Sequence, residues 1–258
     1  MSRGRFCQLL RKELANAKGT MFIVLVVIIA WDLFLASRLN LWDKEAVFGL
    51  SWIPLGIMPI WALGAGFMSF RQEWGTNHIY LLQSFPVRGI TLAGTKIIAI
   101  LLQSIVYFSV ACLGAFLLGS GLLADFASSI PEAIRDQLLR NYAWTGIWLV
   151  VMFWLSMAVL AVLGQSAYLV GRLFERFQWF FSAWVLVLNF WMVSRFAALV
   201  VGLFGWIPKV RLCLHRYLSG SLVIEKVNIS MAPFAALFLG GFLVFAFGAW
   251  LLERRIEI

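Results

Sequence analysis

The chain has 258 residues, of which 62% are hydrophobic, 16% aromatic and only 13% charged, where soluble proteins carry about 25% charged positions. Apolar runs take up most of its length, which leaves no room for a soluble catalytic domain and fits a single membrane domain over 1–258. The formal charge of +9 comes from basic residues scattered among the connections, so it reads as topology and anionic-lipid contact and not as a nucleic-acid surface.

Residues 5–18 place Phe6, Leu9, Leu10 and Leu14 near one helical face, with Arg11, Lys12 and Lys18 elsewhere. That pattern predicts an amphipathic helix in the membrane interface within 1–20, with Gly19-Thr20 as the corner into the bilayer. The first span covers 21–37; it lacks the small-residue cleavage pattern of a signal peptide and carries Trp31 and Asp32 near its far end. The second span, 46–70, contains Pro54, Pro59, Gly64 and Gly66 and is the one expected to bend.

The third span is placed at 97–123. It leads into 120–141, where Pro131, Glu132, Arg135, Asp136 and Arg140 predict a short outer loop with a helical turn. Spans at 142–170 and 179–204 are joined by a tight inner turn over 171–178, and a sixth span covers 232–252. The connection 205–230 is amphipathic instead of simply polar, with Trp206, Ile207, Val210, Leu212, Leu214, Tyr217 and Leu218 among four basic residues. It predicts one or two short helices dipping into the outer leaflet as a re-entrant loop. With the N-terminus inside, twelve Lys and Arg fall on the inner side and eight on the outer, so both termini are expected in the cytoplasm.

Catalytic chemistry finds little support. Gly89-Ile90-Thr91-Leu92-Ala93-Gly94-Thr95-Lys96 comes near a phosphate-binding loop, but Thr and Lys are transposed and no strand–helix unit surrounds them. His78 and His215 fall on opposite sides of the membrane, and Cys213-Leu214-His215 offers too few ligands for a closed metal site. Cys7, Cys112 and Cys213 have no redox spacing. Asp32 and Arg195 are the ionisable residues well inside apolar runs, where a charge faces a bundle interior, a cavity or a partner. They fit an ion pair between the first and fifth spans, with Asp32 otherwise reaching the outer interface, or, with Asn189, a substrate path; polar residues such as Asn189 in spans more often make interhelical hydrogen bonds than ligand contacts.

The polar stretch Ser69 to Arg88, followed by Gly94-Thr95-Lys96, is ordered like a rigid intracellular elbow: a charged start, a glycine, a short amphipathic segment, a Pro-containing turn and a basic end. Its residues Glu73-Trp74-Gly75-Thr76, Leu81-Leu82-Gln83-Ser84-Phe85-Pro86-Val87-Arg88 and Gly94-Thr95-Lys96 resemble the hallmark linking the second and third helices of ABC-2 type transporter permeases. Leu10-Arg11-Lys12-Glu13-Leu14 is similar to the interfacial helix of that family; Trp74 and the Thr95 before Lys96 depart from its pattern.

The resemblance implies an all-α, type V exporter-like permease fold with six transmembrane helices, an N-terminal interfacial helix and re-entrant outer helices before the last span. It further implies a multi-pass protein of the bacterial plasma membrane that exports an amphipathic peptide, antibiotic or lipid-like cargo. Its partners would be separate ABC ATPase subunits, which hold ATP and Mg, and a second permease subunit, either the same or a paralogous chain; this chain would be non-catalytic and without a cofactor. On the same basis the coupling elbow is 71–96, with Arg71, Glu73, Gly75, Thr76, Leu82, Phe85, Pro86 and Arg88 meeting the ATPase, and the second and fifth spans move at the substrate route. The competing reading is a non-transporting membrane scaffold or immunity-type binding protein.

Overall fold

The computed structural model describes residues 3–75, 88–129, 132–174, 177–203, 209–218 and 221–255. Among the described residues, seven helices and one hairpin follow in chain order: α1 Arg3–Arg38, α2 Lys44–Leu50, α3 Ile53–Gly75, α4 Gly89–Ser129, α5 Glu132–Gly171, α6 Gln178–Leu203, β1 Lys209–Leu218, β2 Ser221–Ser230 and α7 Ala232–Arg255. Six helical segments, within 6–38, 44–74, 89–124, 140–171, 178–203 and 232–253, are long and apolar enough to cross a membrane. The protein is a multi-pass helical membrane protein, with spans close to those predicted.

The differences lie at the span ends. α1 runs for 36 residues without a corner at Gly19-Thr20. One glycine in a helix costs about 1 kcal/mol, too little to break a helix that is anchored on both sides of it by contacts with α4. The expected loop over 120–141 is mostly helix, since α4 continues to Ser129 and α5 starts at Glu132. These two helices have 41 and 40 residues, about 60 Å each, and outrun a hydrocarbon core of ~30 Å. At the end of α5, Arg172 N–H donates to the Tyr168 carbonyl at 2.9 Å, and the Phe174 and Phe181 rings stack with centroids 3.9 Å apart.

The second span is interrupted. α2 closes at Ser51, whose hydroxyl donates to the Phe48 carbonyl at 2.7 Å, and α3 begins two residues later. Pro54 explains the break: it has no N–H to continue the ladder and disfavours helical backbone at Ile53, but is suited to the first turn of a new helix. From α1, the Trp31 indole N–H donates to the Leu50 carbonyl at 3.1 Å and satisfies one acceptor at the α2 terminus. Pro59 is carried inside α3.

The expected re-entrant helices over 205–230 are replaced by an antiparallel hairpin running in register from Lys209↔Ser230 to Leu218↔Ser221. Its period-2 order decides this. Val210, Leu212 and Leu214 alternate with Lys209, Arg211 and Cys213, and Val223, Val227 and Ile229 give the return strand a β-branched composition. A two-residue gap, Ser219-Gly220 in sequence, has turn chemistry. All strand structure among the described residues is in this hairpin.

α4 and α5 form the centre. α4 packs on α1, α2, α3, α5 and α7, while α5 packs on α3, α6 and α7. Where α3 crosses α5, a Cβ at Gly66 would overlap the Ala161 carbonyl, and one at Gly164 would overlap the Leu63 carbonyl. The two glycines let the backbones meet, which is how helices associate where no hydrophobic effect separates protein from lipid. A core of Ile28, Met58, Ala62, Ile100, Tyr107 and Met157 joins α1, α3, α4 and α5, and a second cluster of Phe70, Leu92, Tyr168 and Leu251 closes the end from which the elbow leaves. α1 and α6 are the outlying spans, with only 11% of their apolar windows buried against 39% for α4 and α7.

Candidate functional site at the elbow end

The focus of this end is Lys96, in the third turn of α4 and 1% exposed. Three oxygens surround its Nζ: Glu13 Oε1 of α1 at 2.9 Å, the Ser69 carbonyl of α3 at 2.9 Å and Glu73 Oε1 of α3 at 3.1 Å. An ammonium has three protons to donate, so it is fully used. The Phe70 ring lies 5.2 Å from Nζ, within cation–π range. Lys12 stands 4.0 Å from Glu73 at the solvent side of the cluster, with 42% of its side chain exposed.

The network continues through the bundle. The Gln165 amide of α5 donates to Ser69 Oγ at 3.4 Å, and the adjacent Ser166 hydroxyl accepts from Asn189 Nδ2 of α6 at 2.8 Å. At the start of α4 the Gly89 N–H donates to Glu253 Oε1 of α7 at 3.0 Å. That carboxylate fills the role of an N-cap for α4, where free N–H groups and the helix dipole favour a negative charge. A Cβ at Gly89 would crowd the Ala249 carbonyl, so the glycine is what allows α7 to approach. Every spanning helix thus has a polar link to another, and those of α1, α3, α4 and α7 meet at the elbow end.

This geometry sorts the expected coupling residues. Arg71 is exposed at the end of α3, its guanidinium near Met68 Sδ at 3.8 Å, and Arg88 is exposed just before α4, its carbonyl accepting the Thr91 N–H at 2.9 Å. Glu73 was expected at a partner's rim, yet it is 8% exposed and turned inward onto Lys96. Burial of Lys96 accounts for that, because an ammonium out of water needs a carboxylate beside it. Gly75 ends α3; Thr76, Leu82, Phe85 and Pro86 lie outside the described residues. Lys96 itself belongs to the bundle interior, neither to the elbow surface nor to a phosphate loop.

The three substrate-path residues are not brought together. Asp32 packs against Gly114 of α4, and its Oδ1 is buried with no hydrogen-bond partner among the described residues. Arg195 is exposed on α6, its guanidinium 5.8 Å from the Trp191 ring centroid. The ion pair between them is not formed, since α1 packs beside α4 and α6 on the far side beside α5 and α7. Asn189 makes the interhelical bond to Ser166.

Sequence reasoning missed Glu13 and Lys96 as a pair. The signal was a charged residue at the very edge of an apolar run, Lys96 before Ile97, facing a Lys-Glu pair at the edge of another. Compared against family models, curated proteins and solved structures, the chain matches none.

Proposed function

We propose that this chain is the membrane-spanning, non-catalytic subunit of an ATP-binding cassette exporter of the ABC-2 type, and that it moves an amphipathic cargo. ATP and Mg belong to separate ATPase subunits, a second permease subunit completes the pore, and the chain sits in a bacterial plasma membrane with both termini inside. The elbow between α3 and α4 receives the movement of the ATPase through Arg71, Arg88 and the segment 76–87 between them.

The observation that carries this reading is the Lys96 cluster. It lies directly inside the elbow and ties its two helices to each other and to α1, so a push on the connection moves three helices as a unit. A loosely tethered loop would dissipate such a push. Glu73 acts in this scheme as a positioning residue, holding the end of α3 against α4.

The test is co-purification of the protein with a nucleotide-hydrolysing partner, followed by ATPase measurement with cargo. Arg71→Glu with Arg88→Glu is expected to lose the partner while the isolated protein keeps its melting temperature. Persistence of protection or assembly with a hydrolysis-dead partner would instead favour a scaffold role and overturn the transport reading.

A further inference from the structure

The hairpin between α6 and α7 has no part in the elbow, and its register gives it two unlike faces. Residues directly opposite one another in an antiparallel ladder share a face, and the face alternates along each strand. One face therefore holds Val210, Leu212, Leu214, Val223, Val227 and Ile229. The other holds Lys209, Arg211, Lys226, His215, Asn228 and Ser230.

The charges divide in the same way. Glu225, the single acid of the hairpin, falls on the apolar face at a position diagonal to Arg216, where opposite signs offset one another. Lys209, Arg211 and Lys226 share the other face with no acid. Neighbouring positions among these three are ~7–8 Å apart, within about one Debye length at physiological salt. Like charges at that spacing repel unless an anion lies among them.

Connectivity sets the depth. α7 ends beside the elbow, where Glu253 caps α4, so Ala232 at its start lies about 32 Å away along the helix axis, at the opposite membrane boundary. The Ala232 N–H donates to Ser230 Oγ at 3.3 Å, which puts the base of the hairpin, Lys209 opposite Ser230, at that boundary. Lys226 is four rungs further along, about 14 Å, so all three cations belong to the half of the hairpin nearest the span. β1 also packs against α5, which holds the hairpin beside the bundle. The outer edges of a two-stranded sheet present backbone N–H and C=O groups that no further strand among the described residues takes up, and these need water or polar heads. The apolar face needs cover from water. Hydrocarbon fails the first requirement and bulk water the second, while the headgroup layer meets both.

We infer that the hairpin lies flat in the headgroup layer at the end of the bundle opposite the elbow, apolar face toward the acyl chains, and that Lys209, Arg211 and Lys226 form a binding site for the phosphates of anionic phospholipids. Charge selects anionic over zwitterionic lipid, because a zwitterionic head brings its own cation and leaves the three positive charges uncompensated. A failure of the transport reading leaves this untouched, since only the chain and its bilayer are involved.

The first measurement is native mass spectrometry of the full chain taken from vesicles of equal parts phosphatidylglycerol and phosphatidylcholine. Phosphatidylglycerol is expected in excess among the retained lipids. The excess should fall about fivefold for each of Lys209→Gln, Arg211→Gln and Lys226→Gln added in turn, the equivalent of ~1 kcal/mol per cation near a membrane surface. Arg216→Gln with Glu225→Gln alters the opposite face and should leave the excess as it is, and unchanged melting temperatures identify the variants as folded. The second measurement uses spin labels placed singly at Cys213, Leu212→Cys or Leu214→Cys, with the other cysteines replaced by serine, in the same vesicles. Labels at 212 and 214 are expected to collide with dissolved oxygen and the label at 213 with a water-soluble nickel chelate. Retention indifferent to the three substitutions, an equal loss in the Arg216 and Glu225 variant, or labels that are all open to nickel or all shielded from both reagents each overturn the assignment.

Discussion

The two ends of the bundle treat charge in opposite ways. At the elbow end Lys96 is almost wholly buried, but three oxygens from two helices and an aromatic face surround it. At the far end Asp32 is half-buried with one oxygen unpartnered, and Arg195 sits on an exposed face beside an indole. Burial of charge is therefore not the common theme. The first arrangement joins helices and should resist replacement, whereas the second makes no ionic link among the described residues and should tolerate it.

Lys96→Met is the strongest way to break this contrast. It leaves Glu13 and Glu73 facing each other without their cation, and a loss of about 3–5 kcal/mol is expected, as for removal of one partner from a buried ion pair. Thermal unfolding in detergent measures it, and combining Lys96→Met with Glu13→Gln and Glu73→Gln should recover part of the loss. Gly66→Leu comes next. With no room beside the Ala161 carbonyl, the α3–α5 crossing must open, at a cost of about 1–3 kcal/mol or more by the same assay.

Asn189→Leu removes one interhelical hydrogen bond to Ser166 and should cost about 0.6 kcal/mol, the average for such bonds in a membrane. The smallest effect is expected for Asp32→Asn. It removes a charge that has no ionic partner among the described residues, so the melting temperature should hold or rise. A loss as large as that of Lys96→Met would erase the distinction between the two ends.

The spans were legible because apolar length alone sets them, and their boundaries moved only where helix continued past the apolar run, as in α4 and α5. The break at Ser51-Trp52 was readable in kind from Pro54, though not in place. The hairpin was misread because its apolar residues were weighed by amount and not by period; Val210, Leu212 and Leu214 carried the strand signal throughout. Lys96 escaped for another reason. Its partners are 83 and 23 positions away, and a neighbouring sequence that resembles a basic loop end gives no hint of which way the side chain turns. Glu73 was chosen as part of the site, but for a surface it does not face.

The bond between Gly89 and Glu253 joins residues 164 positions apart, and this has a consequence for biosynthesis. Glu13, Glu73 and Lys96 are all available once the first three spans have been made, so their cluster can close early. The first turn of α4, in contrast, is capped by a residue of α7, which is made only after the five spans before it. Until then the start of α4 lacks this cap, so a chain cut short before Glu253 could insert the five preceding spans and still leave the helix end at Gly89 half secured.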